Sequence, residues 1–540
     1  LLSSIFSCYS EIVTETLIFL DCNFRTPPNW EREFASIVTS DGKLTYIGEK
    51  KGAQAYATGN TTIIELPEHG VLYPGFVDAH VHIYGTGERN LRPRLEGLTS
   101  QEAIKEKLRS MIGQARENDW IIVRGWDQQL WQEQLMPSAA DLDDLGDTNP
   151  IALTRIDGHA LWCNNKALEI AGITRGTHDP HGGSISRDEH GDPTGILLDE
   201  AMKFVELLLP SEDEDERERM LLAGLSAFAE HGHSAIHDMG VSAEVWDAFQ
   251  SLYKKSGDAL PHAWVFLDMH KHSARVRFLE LAHAGRMPHT THPHLHFAGV
   301  KIYLDGALGS RGAQMLEDYS DDAGNRGLQL SDDHETIELM KLAANFGLQI
   351  AVHAIGDAAN ARALHLFEQS GAGHNGATLR IEHAQIVRHS DLKRFEHLGV
   401  HAVVQPAFFE SDRAWAPDRI GERMADAYRW ASFARHGVNL VGSSDSPIES
   451  CDALHGMDLF ARRCGVHDSE QLSVPDAMNA YMVNVHQITH ERDSKGALEI
   501  GRDADLTVVL ERTLEAPAKV LGTMVSGRWI YCADELRATL

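Results

Sequence analysis

At 540 residues, the chain is far longer than one ordinary core requires, so length alone asks for several domains or one large barrel with additions. Hydrophobic residues at 43% and charged residues at 24% describe a packed globular protein and exclude a disordered one. A formal net charge of −30 repels phosphate backbones and anionic lipid headgroups, which argues against nucleic-acid and membrane partners. The partner class that remains is a small-molecule substrate, with a homo-oligomer left open.

Residues 14–70 consist of short β-rich pieces, Leu17-Ile-Phe-Leu, Leu44-Thr-Tyr-Ile and Thr62-Ile-Ile-Glu-Leu, separated by Ser40-Asp-Gly and Gly59-Asn turns. Residues 495–540 have the same texture, with Ser526-Gly527 placed as a hairpin turn. Together they predict a composite β-sandwich built from both ends, enclosing a central region at 71–494. In that region short apolar runs alternate with helix-length segments, the pattern of parallel strands joined by crossover helices. The expected strands are Gly75 to His82, Ile121 to Gly125 or Ile151 to Arg155, Ser234 to Asp238, Gly299 to Gly306, Leu348 to Ala354, Thr378 to Ala384, Val400 to Pro406 and Val438 to Asp445. Eight such strands predict an α/β fold of the (β/α)8 TIM-barrel type, with reactive groups at the carboxyl ends. The stretch at about 84–210 is too long for one crossover and predicts an inserted subdomain, after which Ser211 is placed to cap an acidic helix start.

The cysteines number six and are scattered without a C-x-x-C pair, as suits a reducing compartment, so the expected location is cytoplasmic. Histidine is abundant, at 31 residues, and H-x-H spacings occur at His80/His82, His231/His233, His270/His272 and His294/His296. In Pro74-Gly-Phe-Val-Asp-Ala-His-Val-His, strand alternation puts Asp78, His80 and His82 on one face, aiming two imidazoles the same way at a strand end, as metal binding requires. The pairs at 231 and 294 precede strands rather than end them, and carry little metal signal.

Further along, Lys301, Tyr303 and Asp305 share one face of Gly299-Val-Lys-Ile-Tyr-Leu-Asp-Gly. A buried lysine must pair, lose its proton or be chemically altered. Either it pairs with Asp305 or Asp445, or carbon dioxide converts it into a carboxylate long enough to bridge two metals. His353 and His383 end two more strands, and Asp445 ends the last, as a carboxylate able to ligate a metal and accept a proton from water. His237-Asp238 ends a strand as well, and fits either the site or a structural pair. Gly371-Ala-Gly-His-Asn-Gly follows a helix and opens a strand, the reverse of a dinucleotide-binding context, and no G-x-S-x-G elbow is present.

These motifs, with Gly-Trp-Asp-Gln at 125–128, Arg-Ile-Asp-Gly-His-Ala-Leu-Trp-Cys-Asn at 155–164 and Arg-Ile-Glu-His-Ala-Gln at 380–385, resemble the amidohydrolase superfamily, and specifically its amidohydrolase 3, YtcJ-like branch that includes N-substituted formamide deformylases. The resemblance spans about Thr14 to Ile530. It implies a metal-dependent hydrolase barrel in which His80, His82 and Asp445 hold one divalent ion, His353 and His383 a second, and carboxylated Lys301 bridges them. Zinc is the metal that histidine and carboxylate ligands favour, with one or two ions bound. The implied reaction is cleavage of an amide carbon–nitrogen bond in a small N-acyl or N-formyl amine by metal-bound hydroxide, with Asp445 as catalytic proton carrier. Trp126, Asp127, Arg155 and His159, with Asp157, are implied as substrate contacts, and Trp126, Trp131 and Trp162 suggest an apolar pocket. Two other readings compete: a cyclic amidine deaminase on the same scaffold, and a barrel that binds a ligand without turnover.

Overall fold

The computed structural model describes residues 16–131, 135–156, 159–180, 182–210, 213–287, 290–463, 468–513 and 516–538. The chain divides into two compact units, one made of residues 1–87 and 217–540, the other of Glu88–Glu216.

In the larger unit eight parallel strands follow one another as β1 (Phe76–Val81), β2 (His233–Val241), β3 (His262–Asp268), β4 (Leu295–Tyr303), β5 (Gln349–Ala354), β6 (Leu379–His383), β7 (His401–Val404) and β8 (Leu440–Gly442). Each pairs with the next, and Thr290–His292 adds an antiparallel strand beside β4. The barrel seam between β8 and β1 is closed by irregular backbone. Asp445 donates its amide to the His80 carbonyl at 2.8 Å, and His82 donates to Ser446 at 2.7 Å. Asp78 completes the seam by accepting the Ser444 amide at 3.0 Å.

Crossover helices form where the sequence supplies caps. Ser242 accepts the Val245 amide ahead of the helix Ala243–Ser256, and Asp332 accepts the Glu335 amide ahead of Asp333–Ala344. Gly371, at a φ of 61°, closes Asp357–Ser370 in the left-handed conformation that only glycine adopts cheaply. This explains why the G-x-G-x-x-G match is a helix stop and a loop. Ser211 lies outside the described residues; the helix Glu214–Glu230 is capped by Asp213, which accepts the Glu216 amide at 2.7 Å.

One expected barrel strand is corrected. Ile121–Trp126 and Ile151–Arg155 are strands, but both belong to a separate five-stranded sheet in the smaller unit. The barrel takes His262–Asp268 in their place. All three runs are short, apolar and β-rich, and only non-local pairing decides which sheet each joins. The smaller unit, at 88–216, also begins and ends a few residues later than the expected 84–210.

The two ends of the chain form one composite sheet of eight strands. Leu506–Leu510 pairs antiparallel with Gly70–Pro74, which in turn pairs parallel with Thr16–Phe24. The expected start at Thr14 lies outside the described residues. Leu17, Phe19, Leu72, Leu506, Val508 and Trp529 share one buried cluster across these strands. Among the described residues no helix is long and apolar enough to cross a membrane. Cys22, Cys163, Cys451 and Cys532 are buried thiols with no disulfide partner among the described residues.

A charged clasp fastens the two halves of the composite sheet. Glu511 accepts from Arg25 at 2.7 Å and from Tyr73 at 2.6 Å, with Arg32 as a further donor. Burial alone would raise its carboxyl, but the bonds from Arg25, Tyr73 and Arg32 outweigh burial and hold it at about 2, below the ordinary 4.5. A depressed carboxylate stabilises the fold above its unfolded pKa and loses that contribution as pH falls through its folded one. Glu511→Gln is therefore expected to cost about 1 kcal/mol at neutral pH, after solvent screening of this partly open clasp. Denaturant titrations of both proteins should show the gap closing between pH 4.5 and about 2.

Candidate metal centre

Each barrel strand delivers its polar residue at the carboxyl end, and the backbone there departs from regular geometry where alternation alone would misplace a side chain. On β6, Arg380 and Glu382 share one face and Leu379 and Ile381 the other, so alternation assigns His383 to the apolar face. The chain instead turns left-handed at His383 (φ 72°) and Ala384 (φ 40°). As a result the His383 ring lies 4.8 Å from that of His80 and 4.4 Å from that of His353. Asp445 also has a positive φ, at 58°. Backbone of this kind is costly for residues other than glycine, and persists where the surroundings over-determine it, often at functional sites.

His80, His383 and Asp445 offer ligand atoms that all lie within 4.8 Å of one another, and all three residues are buried. His80 Nε2 is 3.5 Å and His82 Nε2 3.2 Å from the same Asp445 oxygen. His383 donates from Nδ1 to Gln405 Oε1 at 2.8 Å, and Gln405 donates onward to Ser443 at 2.9 Å. That bond leaves Nε2 as the His383 ligand atom. Burial, with Lys301 nearby, drives His80 well below the ordinary histidine value, and burial with His383 nearby does the same to His353. Burial brings His383 down to about 4. All three are neutral imidazoles, the form that binds a metal. Burial opposes ionisation of Asp445, but the neighbouring His80 and His82 outweigh it and hold the carboxyl well below the usual carboxylate range.

Lys301 is completely buried on β4, and burial pushes its amine down to about 8 against the partial support of Glu382 and Asp445. Its Nζ stands 4.9 Å over the Tyr303 ring and has no hydrogen-bond partner among the described residues. The expected alternative of a Lys301–Asp305 salt bridge is not formed. The Asp305 carboxylate instead accepts the backbone amides of Gln314, Ile355 and Gly356 at 2.8, 3.1 and 2.8 Å, so its lone pairs are already directed at the loop. His80 Nε2 and His353 Nε2 likewise lack a hydrogen-bond partner. Buried polar atoms without partners are rare, and this convergent set of imidazoles, a carboxylate and an amine fits a divalent cation.

A model of the amidohydrolase family matches residues 68–531. The chain belongs to the amidohydrolase family. It is 32% identical over 487 residues to the putative amidohydrolase YtcJ of Bacillus subtilis, covering 88% of this chain and 90% of that protein. It is 22% identical over 512 residues to the N-substituted formamide deformylase of Arthrobacter pascens, covering 91% and 93%. The crystal structure of an uncharacterized metal-dependent hydrolase from Pyrococcus horikoshii superposes with a TM-score of 0.77 at 25% identity, over 92% of this chain and 98% of the other. This amidohydrolase is a metal-dependent hydrolase.

The remaining expected site residues of the amidohydrolase separate by role. Trp126, Trp131 and Trp162 are buried in the smaller unit, with ring centroids 5.8 to 6.1 Å apart. Trp126 donates to the Leu153 carbonyl at 2.7 Å and Trp162 to that of Ser138 at 2.8 Å. The expected apolar pocket is therefore corrected to a tryptophan core, because each ring is enclosed by its own unit. Asp127 accepts the Gln129 amide at 3.0 Å and lies 3.9 Å from Arg155, and the exposed His159 bonds Asp199 at 2.8 Å. Asp157 lies outside the described residues. In the larger unit, His237 Nδ1 accepts from Arg380 at 2.9 Å, and Asp238 accepts the Ile83 amide at 3.3 Å, bonds that fit the structural reading of this pair. His233 bonds the Cys451 carbonyl and His294 that of Gly257, which accounts for the metal-like spacings at 231 and 294 without an ion.

Sequence reasoning overlooked Gln405 and the pair Arg380 and Glu382. The latter pair was detectable, since two charges at i and i+2 on a buried strand must face a polar interior.

Two outcomes follow from this arrangement. Adding zinc, manganese or cobalt to metal-stripped protein should raise its melting temperature, because an ion that binds only the folded state stabilises it by mass action. In scanning fluorimetry His80→Ala and His383→Ala should lose most of that response. Trp126→Ala should destabilise the smaller unit by about 3–5 kcal/mol, seen as early loss of tryptophan fluorescence in urea.

Proposed function

We propose that this amidohydrolase cleaves the amide carbon–nitrogen bond of a small N-acyl or N-formyl amine. Support comes from the fully buried Lys301 amine, which has no hydrogen-bond partner among the described residues, beside the histidine and aspartate side chains, together with the deformylase relative. On this reading His80, His82 and Asp445 hold one ion and His353 and His383 a second, with zinc as the metal. An amine held near 8 keeps roughly a tenth of its population unprotonated at neutral pH, far more than an ordinary lysine, and that fraction is nucleophilic. Its nitrogen would add to carbon dioxide, forming one N–C bond as one C=O π bond opens and releasing one proton, and the resulting carbamate would offer two oxygens to the metal.

When bound, a divalent ion lowers the pKa of water toward ~7 and polarises the scissile carbonyl. The chain's own contribution is proton management. Asp445, held ionised by His80 and His82, accepts a proton from the attacking water at Oδ1 and returns it to the leaving nitrogen. The neutral imidazoles carry no proton that would compete with ligation. Asp127, Arg155 and His159 are proposed as substrate contacts. The protein is proposed to act in the cytoplasm on a small molecule, as a monomer or homo-oligomer, without nucleic-acid or membrane partners.

A panel of N-formyl and N-acyl amines, assayed for free amine with metal content measured in parallel, tests this reading. Hydrolysis of panel members is expected, with Asp445→Asn still binding substrate but turning over ~100-fold more slowly. Ammonia release from cyclic amidines, with the amide panel untouched, would establish the deaminase instead.

A further inference from the structure

Beneath the ligand cluster runs a buried charged relay that the proposed chemistry does not use. His80 donates from Nδ1 to Glu382 Oε2 at 2.7 Å. Glu382 is wholly buried, and Arg380, also wholly buried, grips both of its oxygens, with Nη2 to Oε2 at 3.1 Å. Arg380 further donates to the carbonyl of Ala79, the residue before His80, and to His237 Nδ1 at 2.9 Å. One guanidinium thus joins β6 to β1 and β2 inside the barrel.

We infer that Glu382, anchored by Arg380, is a positioning residue for the ion held by His80. The inference rests on the metal reading above. Nδ1 of His80 is committed to Glu382, so Nε2 is the atom directed at Asp445, and the ring cannot flip without breaking a buried hydrogen bond to a carboxylate. A carboxylate behind an imidazole polarises the N–H bond and strengthens the far nitrogen as a donor, which typically matters about 10–100-fold in metal affinity. Glu382 is also the residue next to His383, where a loose carboxylate would compete for the ion. Arg380 supplies the counter-charge and holds both oxygens, so Glu382 acts through His80 rather than as a ligand. His353 and His383 make no hydrogen bond to Glu382 among the described residues, so the larger effect falls on the ion held by His80, and a smaller one reaches the other through the field of Glu382 at His383 and Lys301.

Zinc affinity by competition with a chromophoric chelator tests this on the full-length protein. Glu382→Gln is the simplest variant but strands the Arg380 charge. The charge-balanced Arg380→Met/Glu382→Gln variant is therefore measured beside it, with the melting temperature of the zinc-free form as folding control. About a 10–100-fold weaker affinity for one zinc is expected, with any second zinc weakened less. If the folded double variant binds zinc as wild type does, or loses both ions equally, the inference is overturned. A wild-type chain that binds no zinc overturns the metal reading and this one with it. A measurement free of any folding question uses selectively 15N-labelled histidine in zinc-free wild type, with His80 assigned by His80→Gln. A proton on Nδ1 is expected, and one on Nε2 would overturn the assignment.

Discussion

The hydrogen bond from the Asp445 amide to the His80 carbonyl is the contact on which the centre depends. It sits at the seam where the last barrel strand meets the first, so the same bond that closes the cylinder brings the strand-one histidines against the strand-eight carboxylate. Regular β-pairing does not reach this point, because β8 ends at Gly442. The seam is instead carried by irregular backbone from Ser443 to Ser446, with the left-handed Asp445 in its middle. A continuous ladder would alternate side chains strictly and could not present His80, His82 and Asp445 to one point.

Burial then determines the chemistry of what the seam assembles. The barrel interior strips water from three imidazoles, one amine and two carboxylates, and each responds according to its partners. Desolvation drives the imidazoles towards neutrality even beside the carboxylates of Glu382 and Asp445. Asp445, flanked by histidines, stays ionised, while Glu382 is matched by Arg380. Lys301 Nζ has no hydrogen-bond partner among the described residues, and is left as the reactive group of the set.

Much of this was legible in the residues. His80, His82, His353, His383 and Asp445 end apolar runs of strand length, and a turn from period-two alternation to a polar terminus can be read without any structure. Strand membership was less legible. Ile121–Trp126, Ile151–Arg155 and His262–Asp268 share composition and length, and which of them enters the barrel is decided by the other strands each pairs with. The tryptophans misled for a related reason: an indole that packs in a core and one that lines a pocket look identical in sequence, and only the bonds from Trp126 and Trp162 to backbone carbonyls separate the two. Support for ligands was the hardest to see, since Gln405 and Arg380 matter through contacts made across the barrel.

The composite sheet carries a consequence for how the molecule comes into being. Gly70–Pro74 lies immediately before the first barrel strand, and its antiparallel neighbour is Leu506–Leu510; Gly75 further donates its amide to Asp505 at 2.8 Å. As the chain is synthesised, the N-terminal strands leave the ribosome more than four hundred residues ahead of the strand that must lie beside them. Throughout that interval the edge at Gly70–Pro74 stays open, exposed to intermolecular pairing of the kind that drives aggregation. The composite sheet is thus completed last, when nearly the whole polypeptide is available.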